Sequence, residues 1–257
     1  MKKGEPYRFS FSRLKFDKSI FHAILRYGIP SGIQSSMFNV ANVLLASAVN
    51  TFPTTTVTAN TIAGSVDAIT YTTMNSFAQA AMTFVGQNYG ALKRERIKKS
   101  IIYCVIQVLS VGSLVSGIEL LLREPLINLF MGEDSADKAA VMEAALPLVT
   151  LLLTSYIICG LMDVISGAIK GLGFAVIPMI ISMVCICGVR LFWIYAVFPT
   201  EAFNSITGLY TAYPISWSLA LIAMLITLFF ALGHLRSMSD GKEAEDEEAF
   251  SEEKATV

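Results

Sequence analysis

Three ionisable residues fall inside long apolar stretches of the chain: Asp67, Asp163 and Arg190. A charge in hydrocarbon is costly, so each either has a function or needs a partner. Asp67 belongs to a stripe: Asn60, Asp67, Tyr71 and Asn75 are spaced seven, four and four apart and share one helix face. Ser31, Ser35, Asn39 and Asn42 form a second stripe in the preceding stretch, with Gln34 close by. Interhelical hydrogen bonds use the same residue types. Bulky amides and a carboxylate fit a wet cavity wall better. Gln34, Ser35, Asn39, Asn42, Asn60, Tyr71 and Asn75 are therefore the candidate cavity residues.

Asp163 shares a face with Tyr156, Gly160, Gly167 and Lys170. At about 1.5 Å of rise per residue it sits roughly 9 Å from the middle of its stretch, toward the cytoplasm. The same count places Arg190 and Asp67 roughly 6–8 Å toward the outside. A buried Arg needs a carboxylate or several carbonyls, and Arg190 is predicted to pair with Asp67 or Glu119. An Asp67 so paired stays charged and carries protons poorly, which leaves Asp163 as the better ion- or proton-binding candidate of the two. The competing role for Asp163 is a structural hydrogen bond near a turn. Glu119 and Arg123 lie nearer the outer boundary, where side chains snorkel cheaply.

The elements that must position these residues are membrane helices. The 257 residues are 54% hydrophobic and 15% charged, with a mean hydropathy of +0.60. A soluble domain has about 25% charged residues. The charges here cluster in Met1–Arg26, Lys93–Lys99, Arg123–Lys138 and the tail after His234. Six apolar stretches reach the roughly 20 residues a span requires: Ala23–Asn50, Val57–Asn88, Ile97–Leu122, Ala139–Ile169, Phe174–Phe198 and Ile206–Gly233. The expected fold is all-α, a polytopic transmembrane bundle of six spans. Pro30, Pro147, Pro178 and Pro214 lie in or near four of them. With a cytoplasmic N-terminus, all but three of the 19 Lys and Arg residues fall on the inside, the exceptions being Arg123, Lys138 and Arg190. Both termini are therefore expected in the cytoplasm.

Residues 1–22 read as a basic amphipathic linker, 23–233 as the transmembrane region and 234–257 as an acidic, disordered cytoplasmic tail. The four cysteines (Cys104, Cys159, Cys185 and Cys187) lie in apolar segments without metal-ligand spacing and read as packing residues. Trp193 and Trp217, with Tyr195, Tyr210 and Tyr213, partly fit an outer aromatic belt. No phosphate loop, catalytic triad order or metal cluster is present in the sequence, so an enzyme is not expected, nor a nucleic-acid partner.

Three motifs are more specific. Arg26-Tyr27-Gly28-Ile29-Pro30-Ser31-Gly32 opens the first span. Phe84-Val85-Gly86-Gln87-Asn88-Tyr89-Gly90-Ala91 closes the second. Asp163-Val164-Ile165-Ser166-Gly167-Ala168-Ile169-Lys170-Gly171-Leu172-Gly173 closes the fourth. In this order and at these depths they resemble the second half of a bacterial MATE (multidrug and toxic compound extrusion) transporter, across roughly residues 21–232. Gly86, Gly90, Gly167 and Gly171 are the candidate helix-packing residues, Gly86 and Gly90 placed for close backbone approach, while Gly167, Gly171 and Gly173 also let the fourth span end in a tight turn.

The resemblance implies one C-terminal six-helix lobe of a two-lobe transporter in the bacterial inner membrane. Its partners would be the lipid bilayer, small organic cations, and either an N-terminal six-helix lobe or a second copy. The chain is then expected to be a fragment of a longer protein. The implied activity is antiport of organic cations and drugs against Na+ or H+ by alternating access, with no cofactor beyond the coupling ion. Some branches of the family carry an acid mid-way along the first span of this half. Here that position reads Ser35-Ser36-Met37-Phe38-Asn39, so the coupling ion stays open. Competing functions are a related flippase for lipid-linked sugars, which needs a strongly cationic cavity, and a non-transporting membrane assembly subunit.

Overall fold

The computed structural model describes residues 16–132 and 137–255, with side chains described through Gly233. Helices follow the predicted stretches closely: α1 (Lys18–Val49), α2 (Thr54–Gly90), α3 (Arg94–Leu121), a short α4 (Arg123–Phe130) and α5 (Lys138–Gly171). Then come α6 (Val176–Val197), α7 (Ile206–Tyr210) and α8 (Ala212–Ala255), the last two separated only by Thr211. Local chemistry sets the ends. The Asp17 carboxylate caps α1, accepting from the Ser19 N–H at 2.8 Å and the Ile20 N–H at 3.3 Å. Ser205 caps α7 by accepting from the Gly208 N–H at 3.0 Å.

The end of α5 is a Schellman turn. The Gly173 N–H reaches the Lys170 carbonyl at 2.9 Å, and the Phe174 N–H reaches that of Ile169 at 3.2 Å. Gly173 has φ +95, which is why a glycine stands there. Pro30 and Pro147 are carried inside α1 and α5 without ending them. α6 contains two π-helical stretches, Met183–Gly188 and Trp193–Val197, on either side of the turn that bears Arg190.

Among the described residues, four helical segments can cross a membrane by length and composition: α3, α5, α6 and the Ile206–Gly233 unit. α1 and α2, of 32 and 37 residues, are also long enough but carry the polar stripes, which lower their hydropathy. The outward faces are apolar. Ile102, Ile106 and Leu114 of α3 and Ile222, Phe229 and Phe230 of α8 are all exposed, which suits a surface solvated by lipid.

The broadest helix pair is α2 with α5, and α3 and α8 pack around them. Two glycines of α5 make that crossing close. A methyl group at Gly167 would strike the Ala78 carbonyl oxygen, and one at Gly171 would lie 2.7 Å from that of Met82. Gly86 faces Gly171 across the same contact, where an added methyl group would lie 3.6 Å from the Gly171 carbonyl oxygen. Gly167 and Gly171 are thus contact positions, and the positive φ of the turn falls at Gly173. Gly90, expected to share the close approach, has nothing within 4 Å of its would-be side chain. In contrast, α1 lies mainly against α6 and touches its sequence neighbour α2 little.

Residues 1–15 of the expected linker lie outside the described residues, and α1 begins at Lys18. α8 runs as helix to Ala255, and its Ala, Glu and Lys residues are good helix formers.

A polar cavity between α1, α2, α5, α6 and α8

The two polar stripes face one cavity of about 310 Å³. Gln34, Ser35, Asn39 and Asn42 enter it from α1, and Asp67, Tyr71 and Asn75 from α2. α5 adds Tyr156, Asp163 and Lys170, α6 adds Arg190, and α8 adds Tyr213 and Trp217. Along α5 the lining runs from Tyr156 to Lys170, about 21 Å at 1.5 Å per residue. The cavity is therefore elongated along the helix axes. Its charged groups balance, with Asp67 and Asp163 set against Lys170 and Arg190.

The pairing expected for Arg190 does not occur. Among the described residues it forms no ion pair within 4.0 Å with Asp67 or Glu119. Its Nη1 donates to Asn42 Oδ1 at 2.7 Å and its Nε to Ser216 Oγ at 3.4 Å. The guanidinium carbon stands 4.2 Å from the centre of the Tyr213 ring. An amide, a hydroxyl and an aromatic face take the place of a carboxylate. Arg190 is 1% exposed and ties α6 to α1 and α8 at one point. A second tie between α1 and α6 is the hydrogen bond from Gln34 Nε2 to Ser182 Oγ, at 2.8 Å.

Asp67 lies beside the Tyr156 hydroxyl. Asp163 is half-buried on the same wall, with Lys170 two turns further toward the Gly173 turn. Asn60 departs from its stripe: it accepts from the Tyr210 hydroxyl and does not line the cavity. Glu119, expected to snorkel, is buried against Thr70, whose hydroxyl donates to Glu119 Oε2. The aromatic belt largely dissolves into packing. Trp193 is buried and donates to the Gly208 carbonyl at 3.0 Å, Trp217 and Tyr210 are buried, and only Tyr195 is clearly outward, at 74% exposure.

Of the partners that hold Gln34 and Arg190, Ser182 and Ser216 were not singled out from sequence, and Tyr213 was read only as part of an aromatic belt. Their one sequence signal is a polar atom inside an apolar stretch. Many residues with no such role share that signal.

Apolar outward faces around a cavity of amides and charges define a polytopic membrane protein with an internal polar site. The MatE family model matches residues 30–196, well over half of the chain, and the chain belongs to that family. It is 23% identical over 211 residues to the probable multidrug resistance protein YoeA of Bacillus subtilis, covering 81% of this chain and 44% of YoeA. To the probable multidrug resistance protein NorM of Rhizobium meliloti it is 26% identical over 186 residues, covering 70% of this chain and 39% of NorM. An outward-facing structure of a multidrug resistance MATE family transporter superimposes with a TM-score of 0.75 at 17% identity, over 89% of this chain and 50% of that one. The chain thus spans less than half the length of these curated relatives, and half that of the solved transporter.

Proposed function

We propose that this chain is one six-helix lobe of a secondary antiporter that exports organic cations and drugs in exchange for Na+ or H+. The single observation that carries this is the placement of Asp163 in the same cavity as the amide stripes of α1 and α2. The multidrug-resistance relatives support the substrate class. In this account α1 and α2 are the remaining two spans, and the membrane is the bacterial inner membrane with both termini cytoplasmic. A second lobe, an N-terminal one or another copy of this chain, closes the cavity. Asp163 takes the coupling cation, and Asn39, Tyr71 and Asn75 bind the exported compound. A cation on Asp163 removes one of the two negative charges that face Lys170 and Arg190. That change weakens the hold on an organic cation and biases the cavity between its inward and outward forms.

The flippase alternative is disfavoured because Asp67 and Asp163 offset the two cavity cations, so the wall is not strongly cationic. Dye efflux by the complete transporter tests the proposal. Asp163→Asn is expected to lower coupled efflux at least tenfold, since each ~1.4 kcal/mol of lost coupling energy is a factor of ten. Full efflux by that variant would overturn the role of Asp163.

A further inference from the structure

Glu119 stands two residues before the end of α3, where a long side chain could reach headgroup water. It does not. α4 packs on α2, α3 and α5 just beyond the α3 end, and Glu119 is only 5% exposed. One carboxylate oxygen accepts from Thr70 of α2, while the other, Oε1, is buried with no hydrogen-bond partner. Ser116 Oγ, one turn away on the same face of α3, is likewise buried and unpartnered. So is Oδ1 of Asp67, one turn from Thr70 on α2 and within electrostatic reach of Glu119. Among the described residues neither carboxylate has a cationic side chain within 4.0 Å; the Tyr156 hydroxyl of α5 faces Asp67, and Arg190 of α6 acts on it from further away.

Carboxylate oxygens accept only, so a donor or a cation must satisfy them. In a low dielectric an acceptor left bare is costly. We infer that Asp67, Thr70, Ser116 and Glu119 form a binding site for a small monovalent cation, Na+ or a proton, distinct from Asp163. Two carboxylates and two hydroxyls are hard oxygen donors of the kind alkali cations take. Asp67 belongs to both this cluster and the cavity wall, so it connects the site to the cavity. Occupancy would lock α3 to α2 at a level where α4 covers them. This inference is independent of which compound the cavity carries.

The test is thermal unfolding of the intact protein in lipid nanodiscs, in an Asp163→Asn background that removes the other candidate cation site. NaCl is compared with choline chloride at equal ionic strength, over a series of pH values. A melting temperature raised by NaCl but not by choline chloride identifies Na+. One that ignores Na+ and falls as pH rises identifies a proton. In either case adding Glu119→Gln removes the response. If that variant does not fold, Ser116→Ala serves instead: it moves the Na+ midpoint up about tenfold, or shrinks the pH response. No response to Na+ or pH in the Asp163→Asn background would overturn the inference, as would a response unchanged by Glu119→Gln and Ser116→Ala. Ordered water would then be what satisfies these oxygens.

Discussion

At the scale of single residues, Arg190 is the strongest constraint in the molecule. A guanidinium buried in a bundle of membrane helices has to find its hydrogen-bond acceptors there. It finds Asn42 and Ser216, with the Tyr213 ring beneath. Truncating Asn42 to Ala leaves part of that charge unpaired and is expected to cost about 1.5–3 kcal/mol, the usual range for a hydrogen bond to an ionised group. Unfolding in detergent micelles would measure it. In an Arg190→Met background the same Asn42→Ala change is expected to cost much less, because no buried charge is then left short. Equal costs in both backgrounds would show that Asn42 acts elsewhere. Asp163 and Arg190 could be singled out from sequence because residue type and an apolar setting suffice. The partner of Arg190 could not, since Asn42 lies 148 positions away on a helix that meets α6 only in the folded bundle.

At the scale of helices, the α2–α5 crossing holds one cavity wall in place. Gly167 and Gly171 set its distance through backbone contact with Ala78 and Met82. Gly167→Leu is expected to force the helices apart and destabilise by about 1–3 kcal/mol, with loss of transport. Gly90→Ala, at an open position of the same motif pair, should stay within about 0.5 kcal/mol. Melting of the two variants in parallel distinguishes a contact glycine from one that merely recurs. The glycines of the second and third motifs read alike in sequence, yet their roles diverge. What separates Gly86 from Gly90 is a neighbour on another helix, and no local spacing encodes that. The positions of the long helices, by contrast, were legible to within a few residues at most ends, because a long apolar run with charges at its ends is a local property.

At the scale of the whole molecule, α1 and α6 form a pair tied by Gln34–Ser182 and Asn42–Arg190, lying across the cavity from the α2–α5 core. The polar stripes on α1 and α2 therefore face each other without packing together. That separation is what leaves a cavity rather than a hydrogen-bonded seam. The stripes themselves were visible in sequence, but Asn60 shows their limit: it shares the face and still spends its amide on Tyr210. The central claim is that this wall is wet and meets the exported compound. Thiol accessibility tests it most directly, in the membrane and in a background with Cys104, Cys159, Cys185 and Cys187 replaced. Asn39→Cys and Asn75→Cys are expected to react with a hydrophilic maleimide and to be protected by an organic cation, while Ile102→Cys on the lipid face stays unlabelled. If Asn39→Cys and Asn75→Cys stay as unreactive as Ile102→Cys, the stripes form a dry helix contact and the account is wrong.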